Sequence, residues 1–201
     1  MSLAVRDAGF GYGGVPVFAG LTFEAAPGEA VAVVGANGSG KSTLLRCLVG
    51  AEVLDSGSVL FDGAVLDESS ASVRARLASL LDDADYFPDV SVVEHLRLLA
   101  WLHSSSVDVS VVVDELGLSA VADQLPPTLS SGQRHRLGLA SCFVRPRSVL
   151  VLDEPEQRLD VAGRAWLRDR LLAEKAAGVA IVFASHDARL VEAVACRTVT
   201  L

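Results

Sequence analysis

Gly35-Ala36-Asn37-Gly38-Ser39-Gly40-Lys41-Ser42 packs three glycines, an ammonium and two hydroxyls into eight residues. That combination suits the holding of a polyphosphate. Glycines at 35, 38 and 40 let the backbone turn tightly and point its N–H groups inward at phosphate oxygens. A helix opening near Lys41 adds the positive end of its dipole. Lys41 is then placed to reach the β- and γ-phosphates, and Ser42 to offer its hydroxyl to Mg²⁺. With Thr43, which follows directly, residues 35–43 form the candidate nucleotide-binding set. The run obeys G-x-x-x-x-G-K-[ST] without a mismatch, between an apolar strand-like segment and a helix-like one, which sets it apart from a chance glycine-rich turn.

A second acidic constellation lies far downstream. Val149-Leu-Val-Leu-Asp153-Glu154 is an apolar strand ending in two carboxylates. Alone it reads equally well as a strand end capped by acids. Beside a phosphate-binding loop, Asp153 suits a Mg²⁺ ligand and Glu154 a general base for an attacking water.

Leu129-Ser-Ser-Gly-Gln-Arg134 begins 24 residues ahead of Asp153 and opens a helical stretch. As an isolated pentapeptide it is an ordinary serine N-cap. In order with the other two motifs it resembles the signature of ATP-binding-cassette (ABC) ATPases, with Ser131 in place of the first glycine of the usual LSGGQ. Other family features fall into line. His186 in Ala184-Ser-His-Asp187 resembles the switch histidine, Leu159-Asp160 the D-loop, and Tyr12 the aromatic that stacks on adenine, a place that Phe10 or Phe18 would also suit. The resemblance runs from about Leu3 to Leu201. It implies ATP and Mg²⁺ as ligands, and two subunits that sandwich two ATP molecules. Ser130, Gly132 and Gln133 of one copy, or of a homologous subunit, would then face the other's phosphates. It also implies a separate transmembrane permease, with brevity similar to the small ATPase subunits of exporters, heme-exporter-like ones included.

Two departures stand out. Where the family carries a Mg²⁺-binding glutamine, the alignment through Arg76–Glu94 places Asp82, and the first glutamine anywhere in the chain is Gln124. An aspartate also binds Mg²⁺, but it is shorter and brings negative charge towards the γ-phosphate. After Pro155, Glu156-Gln157-Arg158 stands where the family prefers small or neutral residues, so hydrolysis rate and coupling are open while nucleotide binding is not.

The elements that must hold these residues follow from periodicity. Leu3–Asp7 and Val15–Ala25 read as strands around a turn-prone Gly9–Gly14, and Glu29–Gly35 as a short buried strand of a parallel sheet. Lys41–Val49 reads as a helix, Ser58–Phe61 and Leu77–Leu81 as strands. From Ser91 the period becomes helical, with Val92, Leu96, Leu99 and His103 on one face, then Val107–Leu116 and Ser131–Val144. Strands return at Ser148–Leu152 and Val179–Ala184, around a helix from Val161 to about Ala177 that Gly178 ends. The expected architecture is a single domain over 1–201. An α/β P-loop core with an N-terminal antiparallel β layer takes 1–88 and 146–201, and an inserted all-α subdomain takes 89–145.

Composition closes off other classes. The 201 residues are 51% hydrophobic and carry a net charge of −8, without a basic block, which argues against a nucleic-acid partner. Cys47, Cys142 and Cys196 are widely spaced and read as reduced, mostly buried thiols. The longest uncharged stretch, Ala8 to Phe23, holds five glycines and a proline and cannot span a bilayer. The first residues lack the order of a signal peptide, so a cytoplasmic protein, peripheral on the inner face of the cell membrane through its partner, is expected. A guanine-reading Asn-Lys-x-Asp is absent, since Asn37 is the only asparagine. No long coiled coil fits between Gly50 and Leu129, and no basic linker joins a second cassette. The remaining alternative to a transport ATPase is a slow or regulatory ATP-binding module.

If Asp82 occupies the glutamine's place, its carboxylate repels the γ-phosphate unless Mg²⁺ intervenes. Asp82→Gln is therefore expected to weaken the Mg²⁺ dependence of ATP binding and to leave hydrolysis equal or faster. Superimposable Mg²⁺ titrations of the two proteins would instead place Asp82 in solvent with Asp83, Asp85 and Asp89.

Overall fold

The computed structural model describes residues 1–81 and 86–201; Asp82, the expected Mg²⁺ ligand, lies outside the described residues. The chain forms two compact units. The first comprises Met1–Leu81, Arg147–Pro155 and Arg168–Leu201, and the second Asp82–Pro146 and Glu156–Leu167.

The first unit holds both sheets. Strands β1 (Leu3–Tyr12), β2 (Val15–Ala25), β4 (Ser56–Phe61) and β5 (Ala64–Val65) make an antiparallel sheet in the order β2-β1-β4-β5. Strands β3 (Ala30–Val34), β6 (Leu77–Leu80), β7 (Val149–Asp153), β8 (Ala180–Ala184) and β9 (Arg197–Thr200) make a second sheet in the order β6-β7-β8-β3-β9. All four pairings in it are parallel. The central strands are apolar on both faces because both faces are covered: all five residues of β8 and four of the five in β3 are buried. Helix α1 (Lys41–Leu48) packs on β7 and β8. Its Leu44, Leu45 and Leu48 are fully buried, each side chain contributing about 1.5–3 kcal/mol. Short helices α2 (Ala71–Arg76) and α7 (Ala188–Val194) also belong to this unit, with the C-terminal part of α6 (Val161–Ala176).

The regular elements described in the second unit are helical: α3 (Val92–Leu102), α4 (Val109–Glu115), α5 (Ser131–Phe143) and the start of α6. Their starts are chemically explicit. Ser91 and Glu94 form a reciprocal capping box on α3, Ser130 and Gln133 another on α5, and Asp108 caps α4. The next free amides of α3 are met by loop carbonyls, Val92 N–H donating to Gln124 O at 3.0 Å and Val93 N–H to Ala122 O at 2.9 Å. Leu96, Leu118, Leu137, Leu139 and Phe143 are fully buried, and Phe143 meets Trp166 edge-on at 5.6 Å.

The expected fold class is the observed one, with corrections in detail. Gly9–Tyr12 is strand, not turn. Gly9 and Gly11 are there for close packing, since a Cβ would come within 2.6 Å of Ser56 Oγ at one and 2.5 Å of Val15 O at the other. The turn is Gly13-Gly14 alone, both with positive φ (58° and 83°), as a two-residue hairpin that follows the strand twist requires. Four elements escape the periodicity. Strand β5 and helix α2 are too short to show a period, α7 is one short amphipathic turn pair, and β9 is an edge strand of mostly exposed residues.

The first unit also buries a carboxylate, that of Glu174. The Glu174 carboxylate takes a two-pronged contact from the Arg147 guanidinium, Nε donating to Oε2 at 2.8 Å, and a further bond from Arg170 Nε at 3.0 Å. Glu174→Ala leaves Arg147 charged with its side chain only 10% exposed. A destabilisation of about 3 kcal/mol is expected, read as a lower urea midpoint.

Candidate functional site

Three neighbouring parallel strands, β7, β8 and β3, run in matched register, with Asp153 and Val33 both opposite Ala184. The segments that leave their C-terminal ends are therefore brought to one edge of the sheet. With about 4.8 Å between strands, β7 and β3 lie about 10 Å apart across β8. From β3 the chain enters residues 35–40, from β7 it enters Glu154, and from β8 it enters Ser185-His186.

The loop after β3 is shaped by its glycines. Gly35, Gly38 and Gly40 have φ of 156°, 79° and 100°. A Cβ on Gly35 would lie 2.6 Å from Ser39 Oγ and 2.7 Å from Leu201 O, and one on Gly40 2.3 Å from Val17 Cγ1. Lys41 is 6% exposed, and its ammonium donates to Gly35 O and Ala36 O, both at 3.0 Å, so the charge is held inside the loop. Gly40 supplies no side-chain cap to α1, and the first turn of that helix carries no acid. Its leading amides and the Lys41 ammonium are thus arranged for an external anion. Ser39 Oγ is buried without a hydrogen-bond partner, as a further polar atom of this cradle. Asn37 and Ser42 are exposed, Thr43 half-buried. These residues fit a polyphosphate, and the hard oxygens of Ser42 and Asp153 fit Mg²⁺.

Glu154 departs from ordinary geometry. Its amide donates to Ala184 O at 3.0 Å, one step beyond the β7–β8 ladder, while its own φ is 43°, a left-handed conformation that costs a glutamate about 1–2 kcal/mol. The side chain meets His186, Nε2 to Oε1 at 3.1 Å. His186 is carried on a tight turn. Asp187 N–H donates to the buried Ser185 Oγ at 2.9 Å, and Asp187 in turn caps α7 through the Arg189 and Leu190 amides. Sequence reasoning passed over Ser185 and Val17. The hydroxyl two residues before a helix cap is the signal that points to the first; Val17 leaves none, because it acts through a glycine's missing Cβ.

Tyr12 ends β1 at the hairpin, 54% exposed, with its ring edge-on to Phe10 at 4.9 Å. Phe10 and Phe18 are themselves buried. The same hairpin places Val17 against Gly40, so Tyr12 is carried by the strand pair that touches the phosphate-binding loop.

Ser130, Gly132 and Gln133 form a second group, in the second unit. Ser130 Oγ accepts from Gln133 N–H at 3.3 Å and Gln133 Oε1 from Ser130 N–H at 2.9 Å, so both side chains are engaged at the start of α5. Gly132 is close to the backbone of the Glu156–Asp160 segment, where a Cβ would stand 3.3 Å from Arg158 O. Arg158 has a φ of 57°, and Arg136 of α5 reaches Asp160 Oδ1 at 3.3 Å.

Two cysteines, Cys47 and Cys142, are buried and Cys196 is exposed, all as free thiols. Burial pushes the Cys47 thiol up to about 11, which leaves it protonated and unreactive at neutral pH. Among the described residues no helix is long and apolar enough to cross a membrane.

Comparison with known proteins adds identity to this geometry. A family model described as ABC transporter matches residues 18–157. The cytochrome c biogenesis ATP-binding export protein CcmA of Rhodopseudomonas palustris (strain HaA2) is 40% identical over 177 residues, covering 87% of this chain and 86% of that protein. The sulfate/thiosulfate import ATP-binding protein CysA of Caulobacter vibrioides is 34% identical over 197 residues, 93% of this chain and 58% of that protein. A solved structure described as the ATP binding subunit of an ABC transporter superimposes with a TM-score of 0.90 at 26% identity, covering the whole of this chain and 86% of the other.

Lys41→Ala removes the ammonium from the loop and disturbs only its bonds to two loop carbonyls. ATP affinity measured by calorimetry is expected to fall at least tenfold, about 1.4 kcal/mol, with the fold retained.

Proposed function

The chain belongs to the ABC transporter family, and from that premise we propose that it is an ATPase subunit that binds Mg²⁺·ATP on residues 35–43. ATP-driven closure on a second copy or a homologous subunit would energise a separate membrane-spanning permease. The observation that carries the reading is the common edge of β3, β8 and β7, where the phosphate-binding loop, His186 and the Asp153-Glu154 pair emerge side by side.

Each residue then has a task. The amides of Gly35, Ala36, Asn37, Gly38, Ser39 and Gly40 surround the phosphates, and Lys41 exchanges its two loop carbonyls for β- and γ-phosphate oxygens. Ser42 and Asp153 hold Mg²⁺, with Asp82 as a third ligand from the sequence alignment. Bound there, the ion neutralises charge that builds up on the β- and γ-oxygens. Glu154 takes the proton of the attacking water on a carboxylate oxygen, and His186, 3.1 Å from Oε1, fixes the orientation of that carboxylate. Tyr12 stacks on the adenine. Ser130, Gly132 and Gln133, with the N-terminal amides of α5, meet the γ-phosphate bound by the partner subunit.

The subunit would sit on the inner face of the cell membrane through its permease. Similarity over nearly the full length of proteins named for export in cytochrome c biogenesis supports an export system. A second reading, a slow or regulatory module, draws on Asp82 and on Glu156-Gln157-Arg158. A strong basal ATPase that co-purifies with a multi-span protein decides for the first.

Glu154→Gln keeps the shape of the side chain and loses the base, so ATP should persist and hold two subunits together. Mg²⁺·ATP is expected to shift this variant from monomer to dimer in light scattering, and Ser130→Arg to abolish the shift. A variant that stays monomeric at saturating ATP would count against closure of the isolated subunits.

A further inference from the structure

Of the three histidines in the second unit, none with a part in the proposed chemistry, His95 is the buried one. His95, on α3, is 2% exposed, and its Nε2 lies 3.3 Å from Ser141 Oγ on α5. Ser141 spends its single hydroxyl proton on Leu137 O at 2.9 Å, so towards His95 it can only accept. The ring is therefore the neutral Nε2–H tautomer, a donor to α5. Its other nitrogen, Nδ1, is buried without a hydrogen-bond partner.

Two aromatic rings close over it, Tyr86 at 5.7 Å and Phe87 at 5.5 Å between centroids. Tyr86 also reaches α5, its hydroxyl donating to Arg134 O at 2.6 Å. The imidazole is thus the point where three pieces meet: helix α3, the Tyr86-Phe87 segment and the helix that begins at Ser130. Tyr86-Phe87 follows directly in the chain on residues 82–85, and Arg134 directly on Gln133.

We infer that His95 is a positioning residue, which as a neutral Nε2–H imidazole fastens α3 and the Tyr86-Phe87 segment to α5, and that a proton added at Nδ1 undoes this fastening and slows ATP hydrolysis. Such a proton would place a full charge on a buried ring that borders two aromatic rings and a serine hydroxyl. Tyr86 and Phe87 from the preceding segment and Ser141 from α5, which meet the ring, are uncharged at neutral pH. Among the described residues no carboxylate is in a position to receive the new N–H. Burial accordingly holds this imidazole below the usual histidine range. The sign follows. The unfolded chain takes up the proton first, so the contribution of His95 is complete above about pH 6.5 and is lost as pH falls from there through the lower folded value.

The part that concerns hydrolysis rests on reading α5 as the signature helix, so the test has one arm that does not. Hydrogen exchange of peptides spanning 86–100 and 131–143 is compared for wild type and His95→Gln, whose amide is a neutral donor at every pH. Exchange in the wild type is expected to exceed that in the variant by at least about threefold near pH 5.5 and to match it near pH 7.5. Equal exchange at both pH values overturns the inference. ATPase profiles of the same proteins should differ only in the acid limb, which in the variant is displaced to lower pH and set by the Glu154 carboxylate alone; identical limbs likewise overturn it. A wild type that hydrolyses no ATP at any pH overturns the proposed function, while the exchange arm still decides for or against His95. Should His95→Gln fail to fold, ¹⁵N-histidine spectra of the wild type decide the matter, with His95 assigned through its contacts to the Tyr86 and Phe87 rings. A neutral Nε2–H tautomer that persists near pH 6 is expected, and an Nδ1–H tautomer or ordinary titration overturns the inference.

Discussion

The register of three buried parallel strands governs what the rest of the first unit can do. β7, β8 and β3 are almost free of polar side chains, so their backbone groups have only one another for hydrogen bonds. A one-residue slip would turn each apolar face and unpair the ladder at both ends. With Asp153, Ala184 and Val33 fixed opposite one another, Glu154, Ser185-His186 and Gly35 must emerge together. The polar chemistry at this edge is thus positioned by the least polar part of the chain. Helix α1 secures the arrangement from one face, its three buried leucines holding Lys41 and Ser42 above the strand ends.

The second unit is organised differently, through helix starts. Ser91 with Glu94 and Ser130 with Gln133 satisfy each other's backbone and side-chain groups, so two helices begin at defined residues without help from a sheet. For α5 this has a functional side. Ser130 and Gln133 are at once the cap of the helix and the residues proposed to face a partner's nucleotide, so the same bonds hold the helix start and preset the contact surface. Arg136 ties this helix to Asp160 and also donates to Leu116 O at 3.3 Å, which joins α5 to the end of α4.

Much of this was legible in the residues. EAVAVVG, SVLVL and VAIVFA are continuous apolar runs bounded by glycine, acid or serine, and each proved to be a central strand within a residue or so of its expected ends. The glycine pattern 35–38–40 and the Ser-x-x-Gln spacing at 130–133 carry their mechanism in their composition. What stayed hidden has a common cause, that it depends on atoms brought together from afar. Gly9 and Gly11 look like turn residues until Ser56 and Val15 are seen packed against them. Strand β9 is short and mostly exposed, and it is held chiefly by its backbone, Arg197 to Thr200 pairing with β3 at the sheet edge. The close contact of Glu154 with His186 joins residues that follow two different strands and could be expected only through the family resemblance.

The backbone at Glu154 carries a further consequence. A left-handed φ on a glutamate is a standing penalty that glycine would not incur, and the sheet tolerates it because the Ala184 carbonyl grips the amide. Thermal hardening and turnover therefore pull in opposite directions at one position. Any redesign that ranks sites by backbone relief will nominate this residue early, and will gain heat resistance there at the expense of the carboxylate proposed to activate water.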